Sequence, residues 1–198
     1  MGATISQLWT PPTIAVGVVS IPSAGKTAIV RKLSGNQDPI PPLNETVNNT
    51  IFTVKGQEYN VLDYSSDRRI RGVWRKLLFQ MRAIIFVIDS ADRENMDDAR
   101  DALWEVLYEE QLEPRPILIL ANKQDDAKAI SVSELIKYLK IEEDLAKTRK
   151  CVCILLQLID RAFSDHYEQR IMPSSAFDDK SLEEGLEWLR EIVRTNPY

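Results

Sequence analysis

Three short and almost uninterrupted apolar runs constrain how this chain of 198 residues can fold. They are Ile14–Val19, Ala83–Asp89 and Pro116–Ala121. Runs of this length are typical of parallel strands that are buried on both faces. Segments with apolar residues at helical spacing, such as Met96–Leu107, separate them. The alternation predicts a doubly wound, mostly parallel α/β sheet, and such sheets bind ligands beyond the carboxyl ends of their strands.

Local signals predict further elements. The extended stretches Thr50–Val54 and Tyr59–Asp63 flank a Lys55-Gly56 turn, which indicates a hairpin. The patterns Ser131–Glu134 and Ser181–Glu184 are Ser-x-x-Glu capping boxes. We expect each of them to open a helix.

Length and charge limit the domain count and the classes of function. A chain of this length suits one domain, which we expect over residues 13–198 after a leader over 1–12. The net charge of -5 argues against nucleic acid as a partner. The longest apolar run, Cys151–Leu158, is far shorter than the ~20 residues of a membrane-spanning helix. With no apparent signal peptide, we expect a cytoplasmic monomer.

The first apolar run leads directly into Ser20–Thr27, which reads SIPSAGKT. This segment matches the phosphate-loop pattern G-x-x-x-x-G-K-[ST] at all but the first position. Gly25 allows the backbone to turn its N–H groups toward phosphate, Lys26 supplies a cation, and Thr27 supplies a hydroxyl ligand for magnesium. The missing first glycine leaves open a helix start that binds no ligand.

The tetrapeptide Asn122–Asp125, NKQD, follows the third apolar run. The carboxylate of Asp125 can accept hydrogen bonds from both N1–H and the amino group of guanine. Adenine offers no such donor pair on that edge, so the tetrapeptide indicates a guanine nucleotide. A polar loop without a ligand is the alternative. A phosphate-loop kinase is disfavoured because it has no need of this tetrapeptide.

The chain resembles an Arf or Arf-like GTPase over nearly its whole length. Beyond the shared GTPase motifs, Ile70–Leu78 (IRGVWRKLL), Phe86–Arg93 (FVIDSADR) and Leu120–Asp125 (LANKQD) are close to that family's sequences. The resemblance implies a small GTPase fold, GTP or GDP with Mg²⁺ as ligands, and a switch function in membrane traffic. The candidate nucleotide-binding residues are Ser20, Ser23, Ala24, Gly25, Lys26, Thr27, Ala28, Ser66, Asn122, Lys123, Asp125, Ser175 and Ala176.

The same resemblance implies the metal ligands and the partners. Thr27 and Thr46, the latter in NETV, would bind magnesium directly, and Asp63 would hold it through water. Effectors would contact the regions near Thr46 and along Asp63–Trp74. An exchange factor and an activating protein are the other implied partners.

The catalytic segment departs from the family pattern. Where the family reads D-x-G-G-Q, Asp63–Asp67 reads DYSSD. Asp67 therefore replaces the glutamine that orients the attacking water, and an ionised carboxylate can only accept hydrogen bonds. Ser65 and Ser66 add Cβ atoms where two glycines would allow a close approach to the γ-phosphate. We expect slow GTP hydrolysis; the alternatives are a non-hydrolysing adaptor, or Asp67 acting as a general base with a raised pKa.

Residues outside these motifs give two further expectations. Met1–Ser6, MGATIS, fits the N-myristoylation pattern M-G-x-x-x-[ST], with Gly2 as the acylated residue. We expect reversible association with the Golgi or another endomembrane, and a frayed terminus is the alternative. The resemblance does not cover Cys151–Arg170, between Lys150 and Ile171, which we interpret as an insertion.

Overall fold

The computed structural model describes residues 12–35, 47–112, 115–141, 169–173 and 179–195. The strands in these ranges form one sheet. They are β1 (Ile14–Ser20), β2 (Val47–Val54), β3 (Gln57–Tyr64), β4 (Ala83–Asp89), β5 (Ile117–Asn122) and β6 (Gln169–Pro173). The α-helices are α1 (Lys26–Ser34), α2 (Arg68–Arg71), α3 (Trp74–Leu78), α4 (Met96–Leu107), α5 (Val132–Leu139) and α6 (Asp179–Thr195).

The sheet order is β2-β3-β1-β4-β5-β6. Among these strands only β2 and β3 pair in the antiparallel sense, and the other neighbours are parallel. The chain order reverses at β1, whose neighbours are β3 on one side and β4 on the other. The predicted doubly wound, mostly parallel sheet is therefore confirmed. Its ligand contacts are expected at the carboxyl ends of β1, β4 and β5.

Strand β4 shows why a continuous apolar run identifies a strand of this sheet. Ile84 and Phe86 pack into the layer with α3, α4 and α5, whereas Ile85 and Val87 pack into the layer with α1 and α6. Successive side chains of a strand point to opposite faces, and helices cover both faces here. Every position of β4 is consequently buried.

Two local signals are confirmed in detail. Lys55 and Gly56 adopt φ values of 47° and 77°, as a two-residue hairpin turn requires. Ser131 accepts a hydrogen bond from the backbone N–H of Glu134, and the Glu134 carboxylate accepts one from the backbone N–H of Ser131. This reciprocal capping box opens α5.

The predicted start of the last helix is wrong. Helix α6 begins at Asp179, which places Ser181 in the first turn instead of at the N-cap. One face of this helix is apolar and buried. It consists of Leu182, Leu186, Leu189 and Val193.

Strand β6 moves the C-terminal limit of the segment that we interpret as an insertion. Gln169 and Arg170 pair with Ile117 and Leu118 of β5, so these two residues belong to the sheet. The remainder, residues 151–168, lies outside the described residues, as do residues 1–11 of the predicted leader over 1–12. Within the described ranges, none of the helices is both long enough and apolar enough to cross a membrane.

Candidate functional site

The loop between β1 and α1 needs glycine at one position. Gly25 has φ 93°, which is the left-handed region, and it immediately precedes the first residue of α1. A Cβ atom at this position would collide with Nδ2 of Asn122. Gly25 therefore provides both the backbone conformation and the space that the loop requires, and the N–H groups at the start of α1 favour an anion there.

The first loop position does not need glycine. Ser20 is the last residue of β1, and its buried side chain donates to the backbone oxygen of Ile21 at 2.7 Å. Ser23 and Lys123 adopt φ values of 66° and 62° without being glycines. Such conformations cost on the order of 1 kcal/mol and concentrate at functional sites. Ser23 follows β1 and Lys123 follows β5, so both lie in the predicted ligand loops.

Three predicted residues meet at the carboxyl ends of β1 and β3. The Thr27 hydroxyl donates to Oδ2 of Asp63 at 2.6 Å, and Nζ of Lys26 lies 3.5 Å from Oδ1 of the same carboxylate. Burial lowers the pKa of Lys26, and the charge of Asp63 opposes this shift. A hydroxyl and a carboxylate are the hard oxygen donors that Mg²⁺ prefers, so the residues present fit this ion.

The carboxyl end of β5 contacts the loop between β1 and α1. The Asn122 amide donates to the backbone oxygen of Ala24 at 2.8 Å, and its own Oδ1 is buried without a hydrogen-bond partner among the described residues. Lys123 forms an ion pair of 2.6 Å with Asp89, the last residue of β4. Asp125 follows on the exposed side of the loop. The two predicted ligand loops thus form one continuous edge of the sheet.

Asp89 is a site residue that the sequence analysis did not single out. The signal was present, because Asp89 ends the second apolar run and therefore lies at the carboxyl edge of the sheet. Of the other predicted site residues, Ala28 is an exposed position in α1. Gly2, Thr46, Ser175 and Ala176 lie outside the described residues.

Asp67 caps the short helix α2. Its carboxylate accepts from the backbone N–H of Arg69 at 2.9 Å and from the Arg69 guanidinium at 2.6 Å. These hydrogen bonds lower the pKa of Asp67 to about 2. A general base would need the opposite shift, so the geometry disfavours that alternative for Asp67.

Two arginines of α2 attach this segment to α4. Arg71 binds both oxygens of Asp98, at 2.9 and 3.0 Å, and Arg68 reaches the same carboxylate at 2.8 Å. Asp98 is a residue of α4, which packs on the sheet. The segment that follows Asp63 is therefore held against the body of the domain.

This cluster leads to a prediction about stability and pH. The hydrogen bonds from Arg71 and Arg68 lower the pKa of Asp98 to about 2, against ~3.9 in an unfolded chain. The cluster therefore stabilises the fold fully above pH ~4, and this contribution disappears as the pH falls toward 2. Asp98→Asn should lower the free energy of unfolding near pH 7 by about 1 kcal/mol, after allowance for solvent screening.

Urea unfolding of the parent and the variant from pH 7 downward measures this difference, which should narrow below pH 4. Asp97→Asn is the matched control for an exposed ion pair in the same helix, because the Asp97 side chain is 68% exposed and pairs with Arg100 at 2.7 Å, where solvent screens the interaction. A constant difference between the parent and Asp98→Asn at every pH would contradict the prediction.

The family model of the ADP-ribosylation factors matches residues 5–193 of this chain. The protein belongs to the ADP-ribosylation factor family. It is therefore a GTP-binding switch protein of the small GTPase class, and the family's ligands are GTP and GDP.

Relatives within the family align over most of their own length. ADP-ribosylation factor-like protein 1 of Saccharomyces cerevisiae is 30% identical over 189 residues, which cover 95% of this chain and 92% of that protein. ADP-ribosylation factor-like protein 2 of Arabidopsis thaliana is 31% identical over 183 residues, covering 91% of this chain and 88% of that protein. The family-like sequences that the resemblance identified are thus part of a full-length match.

A solved structure agrees with the fold. The Arl6 (BBS3) small GTPase of Trypanosoma brucei, with the bound nucleotide analogue GppNp, superposes with a TM-score of 0.75 at 21% identity. The match covers 93% of this chain and 99% of that one. At this identity the likeness establishes the shared small GTPase fold.

Proposed function

We propose that the protein is a magnesium-dependent GTP/GDP switch that acts in membrane traffic and hydrolyses GTP slowly. The observation that carries this proposal is the 2.6 Å contact between Thr27 and Asp63 beside the buried Lys26. These are the hydroxyl, carboxylate and cation that a nucleotide phosphate with Mg²⁺ requires at the end of β1. Thr27 would bind the ion directly and Asp63 would hold it through water, and Mg²⁺ would neutralise phosphate charge there.

The base would be selected by the loop after β5. Asn122 fixes this loop to the phosphate loop through Ala24, and Lys123 is held by Asp89. This arrangement supports a role for Asp125 in accepting from the guanine donors. Ser175 and Ala176 are proposed to lie behind the base, and Thr46 is proposed as the second residue that binds magnesium directly.

Side-by-side affinities for GTP, GDP and ATP test this function. With Mg²⁺ present, we expect the purified protein to bind GTP and GDP at least a hundredfold more tightly than ATP, since an unpaired buried polar group costs a few kcal/mol. Addition of EDTA should weaken both guanine nucleotides. Equal affinities for GTP and ATP would contradict the assignment.

A second candidate is a non-hydrolysing adaptor that uses the same fold. It is favoured by the ion pair that turns the carboxylate of Asp67 onto Arg69, since this carboxylate replaces a catalytic glutamine. Chromatography of the nucleotide released from denatured protein separates the candidates. A switch that hydrolyses slowly retains GTP or GDP, whereas an adaptor that does not use nucleotide releases none.

The proposed partners are a membrane surface, effectors, an exchange factor and an activating protein. We place the protein in the cytoplasm as a monomer that associates reversibly with the Golgi or another endomembrane through a myristoyl group on Gly2. A single myristoyl chain binds a membrane only marginally, so apolar residues of the leader should add to it. These residues are Ile5, Leu8 and Trp9.

Replacement of the acylated residue tests the membrane proposal. Gly2→Ala, produced together with an N-myristoyltransferase, should lose most of its co-sedimentation with anionic liposomes, because N-myristoylation requires glycine at the N-terminus exposed by removal of Met1. Thr4→Ala is the control, since it leaves the motif intact. Unchanged co-sedimentation of Gly2→Ala would show that the leader does not act as a lipid anchor.

A further inference from the structure

The two serines that replace family glycines in this site contact each other. Ser20 ends β1 and Ser66 follows β3, yet their Oγ atoms lie 3.3 Å apart. Nζ of Lys26 donates to Oγ of Ser66 at 2.5 Å. Ser20 is fully buried, and Lys26 is 8% exposed. The three side chains therefore form one shielded cluster between the phosphate loop and the segment after Asp63.

The direction of the hydrogen bonds in this cluster follows from the number of protons. A serine hydroxyl has one proton to donate, and Ser20 uses its own on the backbone oxygen of Ile21. Ser66 is therefore the donor toward Ser20, while it accepts from Lys26. The result is a directed chain of donors, from Lys26 to Ser66 to Ser20 to Ile21, and such chains strengthen each member.

The cation at the start of this chain is the one that reaches the β- and γ-phosphates in phosphate loops. The ammonium group of Lys26 donates one hydrogen bond to Oγ of Ser66, and it also faces the carboxylate of Asp63. A γ-phosphate approaching Lys26 from the side of Ser66 must replace that oxygen. A diphosphate carries no γ-group to compete for the same position.

We propose that the hydroxyl of Ser66 competes with the γ-phosphate for Lys26 and thereby biases the site toward GDP over GTP. The proposal rests on guanine-nucleotide binding at this site. Attachment of the following segment supports it, because Arg68 and Arg71 bind Asp98 and the Trp74 indole approaches the backbone oxygen of Ser65 at 3.4 Å. These contacts hold Ser66 near Lys26, so that the competitor is kept in place.

Removal of the hydroxyl tests the competition. A hydrogen bond to a charged group contributes enough to change an affinity by about tenfold. We therefore expect Ser66→Ala to raise the affinity for an imido-bridged GTP analogue relative to GDP by about tenfold. Ser66→Gly should do the same, and agreement between the two variants separates the hydroxyl from any gain in backbone freedom. Ser20→Ala should give a smaller increase, since it removes only the group that accepts from Ser66.

Ser34→Ala is the matched control. It removes a serine hydroxyl at the other end of α1, where this hydroxyl donates to the backbone oxygen of Arg31 at 3.0 Å, and it should leave the ratio of affinities within about twofold, a typical neutral range. A ratio that is unchanged or lower in both Ser66 variants overturns the proposal while GDP binding stands. Absence of GDP binding by the parent protein overturns the proposed function, and the competition falls with it.

Discussion

Asp125→Ala should lower the affinity for GDP by about a hundredfold or more in the presence of Mg²⁺. The carboxylate would accept two hydrogen bonds from guanine, and its removal leaves both donors of the base without a partner, which costs a few kcal/mol. Contacts of its neighbours hold the loop in position, because Asn122 binds the backbone of Ala24 and Lys123 is held by Asp89. The loss should therefore arise from the base contact and leave the loop itself intact. Competition with a fluorescent GDP analogue measures it.

Asp126→Ala provides the matched control for this substitution. Asp126 is the next residue, is also exposed, and carries the same charge. Its carboxylate accepts from the backbone N–H of Lys128 at 2.8 Å, so its role is local to the turn. We expect its GDP affinity to stay close to that of the parent. Equal affinities of Asp125→Ala and the parent would show that the tetrapeptide does not select the base.

Replacement by asparagine sharpens the same test. Asp125→Asn exchanges one acceptor oxygen for a donor NH₂ group, which cannot pair with the second donor of guanine. Xanthine has an oxygen at the position of the guanine amino group, and this oxygen matches the new donor. The variant should therefore bind XDP better than GDP. Weak binding of both nucleotides by Asp125→Asn would point to a damaged loop instead of a changed specificity.

The sheet could be predicted from sequence because both of its faces are covered. Every side chain of β4 is buried, and the strand is apolar from Ala83 to Ile88, before Asp89 ends it at the site. The limits of the predicted run agree with those of the strand. The start of α6 was harder to locate. A Ser-x-x-Glu pattern forms a capping box at Ser131, whereas the one at Ser181 lies inside the first turn of a helix that begins at Asp179. The same local pattern therefore has two different outcomes in this chain.

The site could be predicted residue by residue but not as a set of contacts. The spacing of SIPSAGKT and NKQD identifies Lys26, Thr27 and Asn122, since the chemistry needs those groups in a fixed order along the chain. In contrast, the hydrogen bonds from Lys26 to Ser66 and from Ser66 to Ser20 join residues far apart in sequence. Each serine, taken alone, looked like the loss of a glycine. The structure shows that the two serines, Ser20 and Ser66, contact each other.

The role of Asp67, at the position of the catalytic glutamine, also depends on contacts that the sequence does not show. From sequence, Asp67 was compatible with a disabled site or with a general base whose pKa is raised. Its position as the N-cap of α2 and its bond to Arg69 explain why the pKa is instead lowered to about 2. The carboxylate is consequently ionised throughout the range in which nucleotides are studied. Negative charge beside a transferring phosphoryl group opposes the reaction.

Asp67→Gln should therefore raise single-turnover hydrolysis of bound GTP by about tenfold. The glutamine amide can both donate to and accept from the attacking water, which the carboxylate cannot do. The gain should remain below the ~10²–10³ that one preorganised donor contributes elsewhere, because Ser65 and Ser66 still replace the glycines. The substitution also removes the helix cap and should lower the stability, so thermal unfolding should accompany the rate measurement.

Asp67→Asn separates the effect of the negative charge from the effect of side-chain length. Asparagine keeps an oxygen that can cap α2 and removes the negative charge, but it is one methylene shorter than glutamine. A hydrolysis rate equal to that of Asp67→Gln would identify the negative charge as the defect. A rate equal to that of the parent would identify the shorter side chain as the defect.

The pH profile of the parent supplies an independent measurement. With a pKa of about 2, ionisation of Asp67 is complete above pH 5, so it should cause no rise in rate between pH 5 and 8. A rise in the parent that disappears in both variants, together with a large loss of rate in Asp67→Gln, would show that the aspartate is itself catalytic.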